Sequence, residues 1–442
     1  MEFFHKVRFY HTYMAGIYIH IPFCKTRCIY CDFFSSTLMN KKTQYVEALC
    51  KELELRKDYL EGEEIQTIYF GGGTPSLLSA NDFKKIFAQL TPLNPLKGTL
   101  APEKTEINYG LSPLARRSLR LRRVKNKALL CNYASQRLAF SNDVVGDYAE
   151  PELGREITLE ANPDDITPEY LESLKNLPFN RISIGIQSFN DAELRFLNRR
   201  HNAQKAIQAV KMCRDYGFSN ISIDLMYGLP NQTMKIWEDT LGQALNLNIQ
   251  HISAYHLIYE EETKLYELLK QRKITPAEED LSVEMFSKMI DVLESNGFEH
   301  YEISNFAQPG FISQHNSSYW NGTHYLGIGA SAHSFNGKVR HWNISDLDQY
   351  IQRINQGDLP SETEIIGEKE AYNDFILTRM RTMKGMDLNE LEILFGAEKK
   401  MYCLNQAQKH IDNQTVQIQE NYLKLTRKGI FISDGIMSDL FL

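Results

Sequence analysis

Three cysteines fall within eight residues, in the run Cys24-Lys25-Thr26-Arg27-Cys28-Ile29-Tyr30-Cys31. Thiolates on so short a loop can each take one iron of a cubane [4Fe–4S] cluster, which leaves the fourth iron open. An open iron can chelate the amino and carboxylate groups of S-adenosylmethionine, and an electron passed into the sulfonium cleaves it to a carbon radical. Structural zinc is the competing reading. It normally takes four ligands, commonly as paired Cys-x-x-Cys units, and no second pair is present. Of the other cysteines, Cys50 in a helical stretch and Cys213 after a helical run read as buried small hydrophobes, while Cys131 and Cys403 lie far along the chain.

Such a loop needs a scaffold, and the sequence supplies one. Short β-rich runs recur at Ile17–Ile21, Thr67–Phe70, Ile157–Ala161, Ile182–Ile186, Ile221–Leu225 and His251–Tyr255, each followed by a helix-like stretch. Parallel neighbours need crossover connections, which the helices provide, so the pattern predicts six βα units around a parallel sheet. In the first helical stretch Tyr45, Leu49, Leu53 and Leu60 have roughly the spacing of one buried face. Cys24, Gly71 to Gly73, Glu160, Gln187 and Asp224 follow strands immediately. Ligands of parallel α/β folds bind at strand C-termini, so these residues are expected to converge on one mouth.

Composition narrows the function classes. The 442 residues carry 49 Lys+Arg against 56 Asp+Glu, a net charge of −7, so no overall positive field draws in nucleic acid. No apolar run approaches the ~18 to 20 residues of a spanning helix, and the start lacks a signal peptide's apolar core; a cytoplasmic location and no transmembrane segment are expected. Strand starts at 67 and 157 lie 90 residues apart, whereas the later ones lie 25 to 39 apart. Residues 92–155 therefore read as an insertion. Arg116, Arg117, Arg120, Arg122, Arg123, Lys125 and Lys127 make it basic, and such charge blocks tend to stay solvated and mobile. Residues 1–16 read as an N-terminal extension, with Met14 a second candidate start. Beyond 360 the chain turns helical and ends in Leu423–Gly429 and Ile430–Asp434, expected to be helices followed by a short hairpin in a small α+β, winged-helix-like domain.

The segments Tyr18–Cys24, Cys31-Asp32-Phe33, Gly71–Ser76, Leu159–Pro163, Gly185–Phe189 and Asp224–Pro230 together resemble the radical S-adenosylmethionine superfamily. Within it they are similar to the branch around oxygen-independent coproporphyrinogen III oxidase. The resemblance implies a partial (β/α)6 TIM-like barrel at 17–91 and 156–355 and a C-terminal domain at 360–442. It also implies Cys24, Cys28 and Cys31 as cluster ligands, with Tyr18, Tyr30, Gly72, Gly73, Thr74, Glu160, Gln187, Arg199 and Asp224 at the S-adenosylmethionine site. The glycines at 71 to 73 let the backbone approach the methionine end of the nucleotide. Glu160, Gln187 and Asp224 offer acceptors for an amino group and ribose hydroxyls, and Arg199 can neutralise a carboxylate.

Two features separate decarboxylating oxidases from the heme-chaperone branch of that family. Oxidases carry a fourth cysteine at the place of Phe33, and a longer N-terminal region. The chaperone branch has a His-Asn-x-x-Tyr-Trp element, matched by His315, Asn316, Tyr319 and Trp320. The resemblance thus implies heme as cargo on His315 and the two aromatics, passed to an acceptor protein, with His324 and His333 also near in sequence. The enzyme alternative is radical decarboxylation of coproporphyrinogen III; a radical enzyme acting on another substrate is a third.

Overall fold

The computed structural model describes residues 14–93 and 155–442. These residues belong to one compact unit. Cys131, residues 1–13 and nearly all of the 92–155 insertion expected from the sequence lie outside them.

Six parallel strands stand in chain order: β1 (Met14–Ile21), β2 (Glu64–Gly72), β3 (Glu156–Ala161), β4 (Arg181–Gln187), β5 (Asn220–Tyr227) and β6 (His251–His256). Each predicted run is there. β1 starts at Met14 rather than Ile17, so three residues of the expected extension belong to the sheet. The connections carry α1 (Lys42–Leu55), α2 (Ala80–Leu93), α3 (Pro168–Leu174), α4 (Asp191–Phe196), α5 (Ala203–Asp215) and α6 (Met234–Asn246). Leu60 is buried but lies past the end of α1, in the turn before β2. Cys213 lies inside α5, buried, and Cys50 is half-buried on α1.

Side chains alternate across a strand, and here the two faces differ sharply. Ile17, Ile19 and Ile21 of β1, Ile182, Ile184 and Ile186 of β4, and Ile221, Ile223 and Leu225 of β5 are fully buried against the helices. The alternate positions are polar: Tyr18 and His20, Thr67 and Tyr69, Thr158 and Glu160, Arg181 and Ser183, Ser222 and Asp224. Register partners on this face touch from strand to strand, with Tyr18 stacked on Tyr69 and Ser222 bonded to His251 Nδ1 at 2.8 Å.

Six further strands extend this array. After α7 (Lys264–Lys270) and α8 (Glu279–Ser295), β7 (Glu299–Glu302) and β8 (Asn305–Ala307) add to the β6 edge, with β8 antiparallel to β6. Then α9 (Gln314–Asn321) leads into β9 (His324–Ile328), which runs parallel to β1 on its other side. β10 (His333–Phe335), β11 (Val339–Asn343) and, after α10 (Leu347–Asn355), β12 (Ser361–Ile365) follow antiparallel. The partial barrel is thus the centre of a 12-stranded sheet.

One buried carboxylate ties the added strands to the first βα unit. Glu52 of α1 is 0% exposed and accepts from Arg56 Nε at 2.9 Å, Asn343 Nδ2 at 2.7 Å, the Gly329 N–H at 2.8 Å and the Tyr350 hydroxyl at 2.6 Å. Removing one member of a buried charge pair leaves the other uncompensated. Glu52→Ala is therefore expected to cost roughly 3–5 kcal/mol, read as a fall in the denaturation midpoint; an unchanged midpoint would show that the network bears no load.

The C-terminal segment comprises α11 (Glu368–Met380), α12 (Leu388–Phe395), α13 (Ala397–Asp412), α14 (Arg427–Ile430) and α15 (Ser433–Asp439). Its three-stranded antiparallel sheet has β15 (Tyr422–Leu425) between β13 (Met386–Asp387) and β14 (Val416–Gln419). Cys403 is buried in α13. The hairpin expected across Leu423–Gly429 and Ile430–Asp434 is shifted toward the N-terminus. Its turn is Glu420-Asn421, both at positive φ (51° and 67°), the backbone that a two-residue hairpin loop demands. Ile430 cannot start a strand because the Thr426 hydroxyl caps α14 through the Gly429 N–H, 3.2 Å away. Gly429 also lies so close to the Thr415 carbonyl that a Cβ would meet it at 1.8 Å.

Candidate functional site

The cysteine loop leaves β1 at the C-terminal mouth of the barrel and is anchored on both sides. The Ile29 carbonyl accepts from the Leu265 N–H at 2.8 Å, and the Arg27 carbonyl from Asn198 Nδ2 at 2.8 Å. A clamp that sequence reasoning missed holds its first half. Asp165, just after β3, accepts from Lys25 Nζ at 2.8 Å and from Arg200 Nη2 at 3.1 Å on both carboxylate oxygens. Ser76 of the β2 loop also donates to it, at 3.4 Å. One carboxylate thereby joins the loops after β1, β2, β3 and β4. No motif signals this, because the four residues are far apart in the chain.

Cys24, Cys28 and Cys31 are all partly exposed free thiols. The Thr74 hydroxyl lies 3.5 Å from Cys24 Sγ, and Arg199 Nη1 lies 3.4 Å from Cys28 Sγ. Burial pushes the Cys24 thiol up and Cys31 up to about 11, each also raised by the neighbouring thiols. A cationic iron core would take the place of the protons that burial holds on these two thiols. Among the described residues no three His, Cys, Asp or Glu side chains close on a single ion. Zinc would need that closure; a cubane does not, since each thiolate holds a different iron. The donor set fits the cluster.

The nucleotide candidates gather beside this loop. Gly72, at φ +105°, donates its N–H to Glu160 Oε2 at 3.2 Å, and the Tyr69 hydroxyl donates to Oε1 at 2.7 Å. A Cβ on Gly73 would lie 2.9 Å from the Ile21 and Phe23 carbonyls, so only glycine lets β2 pass so near the cysteine loop. Gly185 marks the other wall: a Cβ there would meet Gln187 Nε2 at 3.0 Å, Arg199 Nη2 at 3.3 Å and Asp224 Oδ2 at 4.0 Å. Gln187 holds φ 70° at the end of β4, a backbone conformation that side chains other than glycine adopt at a cost and that clusters at functional sites. Arg199 bonds the Gly185 carbonyl, and its buried Nε has no hydrogen-bond partner among the described residues. Tyr30 packs with Leu197, Leu229 and Leu265, and Tyr18 bonds His20 Nδ1 at 3.0 Å. Burial lifts Glu160 to about 7 and Asp224 to about 6, the second carboxylate adding to the shift of the first. Tyr18, Tyr30, Gly72, Gly73, Thr74, Glu160, Gln187, Arg199 and Asp224 thus share one mouth with the three cysteines.

The His315 element lies elsewhere. Glu156 at the start of β3 accepts from the Gln314 and His315 N–H groups, both at 3.0 Å, and so caps α9 at the N-terminal end of the barrel. His315 is 1% exposed, bonded through Nδ1 to Thr67 Oγ1 at 2.7 Å and through Nε2 to the Tyr319 hydroxyl at 2.9 Å. Its ring stacks on Tyr69 at 4.9 Å. Trp320 lies under the Arg381 guanidinium, and Arg379 bonds its carbonyl. Asn316 sits in the first turn of α9, its N–H bonded to the capping Ser313 hydroxyl. Both ring nitrogens of His315 are thus engaged, and Trp320 joins α9 to the end of α11.

Comparison with known proteins bears on what this mouth belongs to. The radical SAM superfamily profile matches residues 18–244, and the HemN C-terminal domain profile matches residues 366–432. Heme chaperone HemW of Bacillus subtilis is 31% identical over 385 residues, covering 87% of each chain. HemW of Escherichia coli is 33% identical over 326 residues, 73% of this chain and 70% of its own. The chain belongs to the HemW family of radical SAM proteins. Among solved structures, coproporphyrinogen III oxidase HemN from Escherichia coli superposes with a TM-score of 0.72 over 99% of this HemW-family chain and 92% of its own, at 22% identity, a likeness of fold. No helix among the described residues is long and apolar enough to cross a membrane.

Proposed function

We propose that this chain is a heme carrier that binds heme and passes it to an acceptor protein, with a [4Fe–4S] cluster on Cys24, Cys28 and Cys31 and S-adenosylmethionine beside it. The observation that carries the reading is the conjunction of the mouth's donor set with HemW relatives of 31–33% identity that share most of its length. When bound, the cluster supplies an open iron for the amino and carboxylate groups of the nucleotide and a source of one electron.

The chain's own residues then have distinct tasks. Glu160, held by Tyr69 and the Gly72 N–H, faces the amino group as an anionic acceptor. Arg199 lends its unpartnered Nε to the carboxylate, and Asp224 with Gln187 takes the ribose hydroxyls. Thr74 donates toward Cys24, and Asp165 keeps the loop in register.

The fold likeness to HemN supports one second reading, radical decarboxylation of coproporphyrinogen III. Against it, Phe33 occupies the place of the oxidases' fourth cysteine and is 63% exposed. Anaerobic incubation of the reconstituted protein with coproporphyrinogen III, S-adenosylmethionine and a reductant is expected to yield no protoporphyrinogen IX; robust product formation would replace the carrier reading with the enzyme.

A further inference from the structure

We infer that His333, not His315, is the side chain through which this protein holds heme iron. The inference rests on the carrier reading above and adds the ligand's identity and place.

Axial ligation needs a neutral imidazole with a free nitrogen reachable by a wide, flat macrocycle. Among the described histidines, His333 is the one with neither ring nitrogen hydrogen-bonded to a described residue, whereas His315 has both engaged, by Thr67 and by Tyr319. It is exposed, whereas His315 is enclosed. Burial of the ring's inner side and the nearby Arg340 guanidinium both lower its pKa, which favours the neutral ligating form. Arg340 is itself held by Glu364 and Asp374 and does not compete for the imidazole.

The surroundings are those of a platform. His333 stands opposite Trp342 in the β10–β11 pairing, and the two rings stack at 6.1 Å and 26°. An axial imidazole stands across the porphyrin plane, so a ring stacked on it fixes its orientation and leaves its own edge to meet the macrocycle. Phe335 pairs opposite both Tyr325 and Arg340, which puts it on the same side of the sheet as His333, two residues away. Tyr325 and Phe335 are 6.1 Å apart, and all three flanking aromatics are half-buried, leaving apolar area for a macrocycle to cover.

This platform adjoins the nucleotide mouth. β10 comes down on Gly327, where a Cβ would meet the His333 carbonyl at 2.0 Å. Gly327 in turn is the register partner of Tyr18 on β1. Heme on His333 therefore lies within two strands of the residues assigned to S-adenosylmethionine, while His315 lies beneath them with its nitrogens spent on Thr67 and Tyr319.

The test is a spectrophotometric titration of the full chain, purified anaerobically with its cluster reconstituted, using ferric and then ferrous heme. His333→Gly is expected to weaken binding by about tenfold or more and to lose the Soret band of the wild type, with added imidazole restoring it. His333→Met is expected to shift the Soret band and the low-temperature electron paramagnetic resonance signal from imidazole toward thioether ligation. Retention of the cluster's visible absorption in both variants shows that they fold. Unchanged spectra and affinity in both would overturn His333 as the ligand while leaving the carrier reading intact. Absence of saturable heme binding by the wild type would remove that reading, and this inference with it.

Discussion

Replacing Cys28 by alanine is expected to abolish the cluster: the anaerobically reconstituted variant should lack the broad visible charge-transfer absorption that the wild type acquires, and retain fewer than four irons. The loss is total because a loop with three thiols has no spare ligand. Cys50, Cys213 and Cys403 lie on α1, α5 and α13, away from the loop. Cys24→Ala and Cys31→Ala are expected to behave alike, whereas Cys50→Ala should reconstitute as the wild type does. Since Arg199 Nη1 contacts Cys28 Sγ, the same variant also leaves that guanidinium without its anionic neighbour. A Cys28→Ala protein with undiminished iron and absorption would move the cluster off this loop.

Glu160→Gln should produce the second large effect, on S-adenosylmethionine affinity. The carboxylate is raised to about 7, chiefly by burial, against the hydrogen bonds from Tyr69 and Gly72 that favour its charged form. Below pH 7 it is mostly protonated and cannot pair with an ammonium, so wild-type affinity is expected to fall by roughly tenfold for each pH unit lower. The glutamine variant should bind about 10- to 100-fold more weakly at pH 8 and lose this dependence. The sign for stability is opposite. Without nucleotide the folded chain holds this proton more tightly than the unfolded one, whose carboxyl titrates near 4.5. The native state binds the extra proton between these values, so this group's contribution to stability falls as pH rises from about 4.5 through about 7. Calorimetric nucleotide titrations at several pH values decide the first point; an unaltered, pH-independent affinity in Glu160→Gln would take Glu160 out of the site.

The parallel strands were legible because their outer faces are almost uniformly Ile and Leu, with polar residues at alternate positions. Such a pattern reports both the strand and the side of it that lines the barrel. The cysteine loop was legible for a related reason, since three thiols at short spacing have few other uses. The strands β7 to β12 were not, because they are three to five residues long and carry mixed side chains such as Val-Arg-His-Trp-Asn, whose periodicity is too brief to read. The hairpin of β14 and β15 was misplaced because its turn is Glu-Asn rather than a glycine-bearing pair. His315 shows most clearly what local sequence omits. Its aromatic neighbours resemble a ligand pocket, but its position is set by Glu156, 159 residues upstream, which caps α9 and draws the ring into the barrel. Asp165, the residue that joins four loops, is invisible for the same reason.

The central claim is tested most directly by whether the anaerobically reconstituted chain binds heme saturably, followed at the Soret band against a buffer blank and quantified by pyridine hemochrome after gel filtration. The account predicts one heme retained per chain, together with an intact cluster; heme that elutes entirely with the small molecules would contradict it.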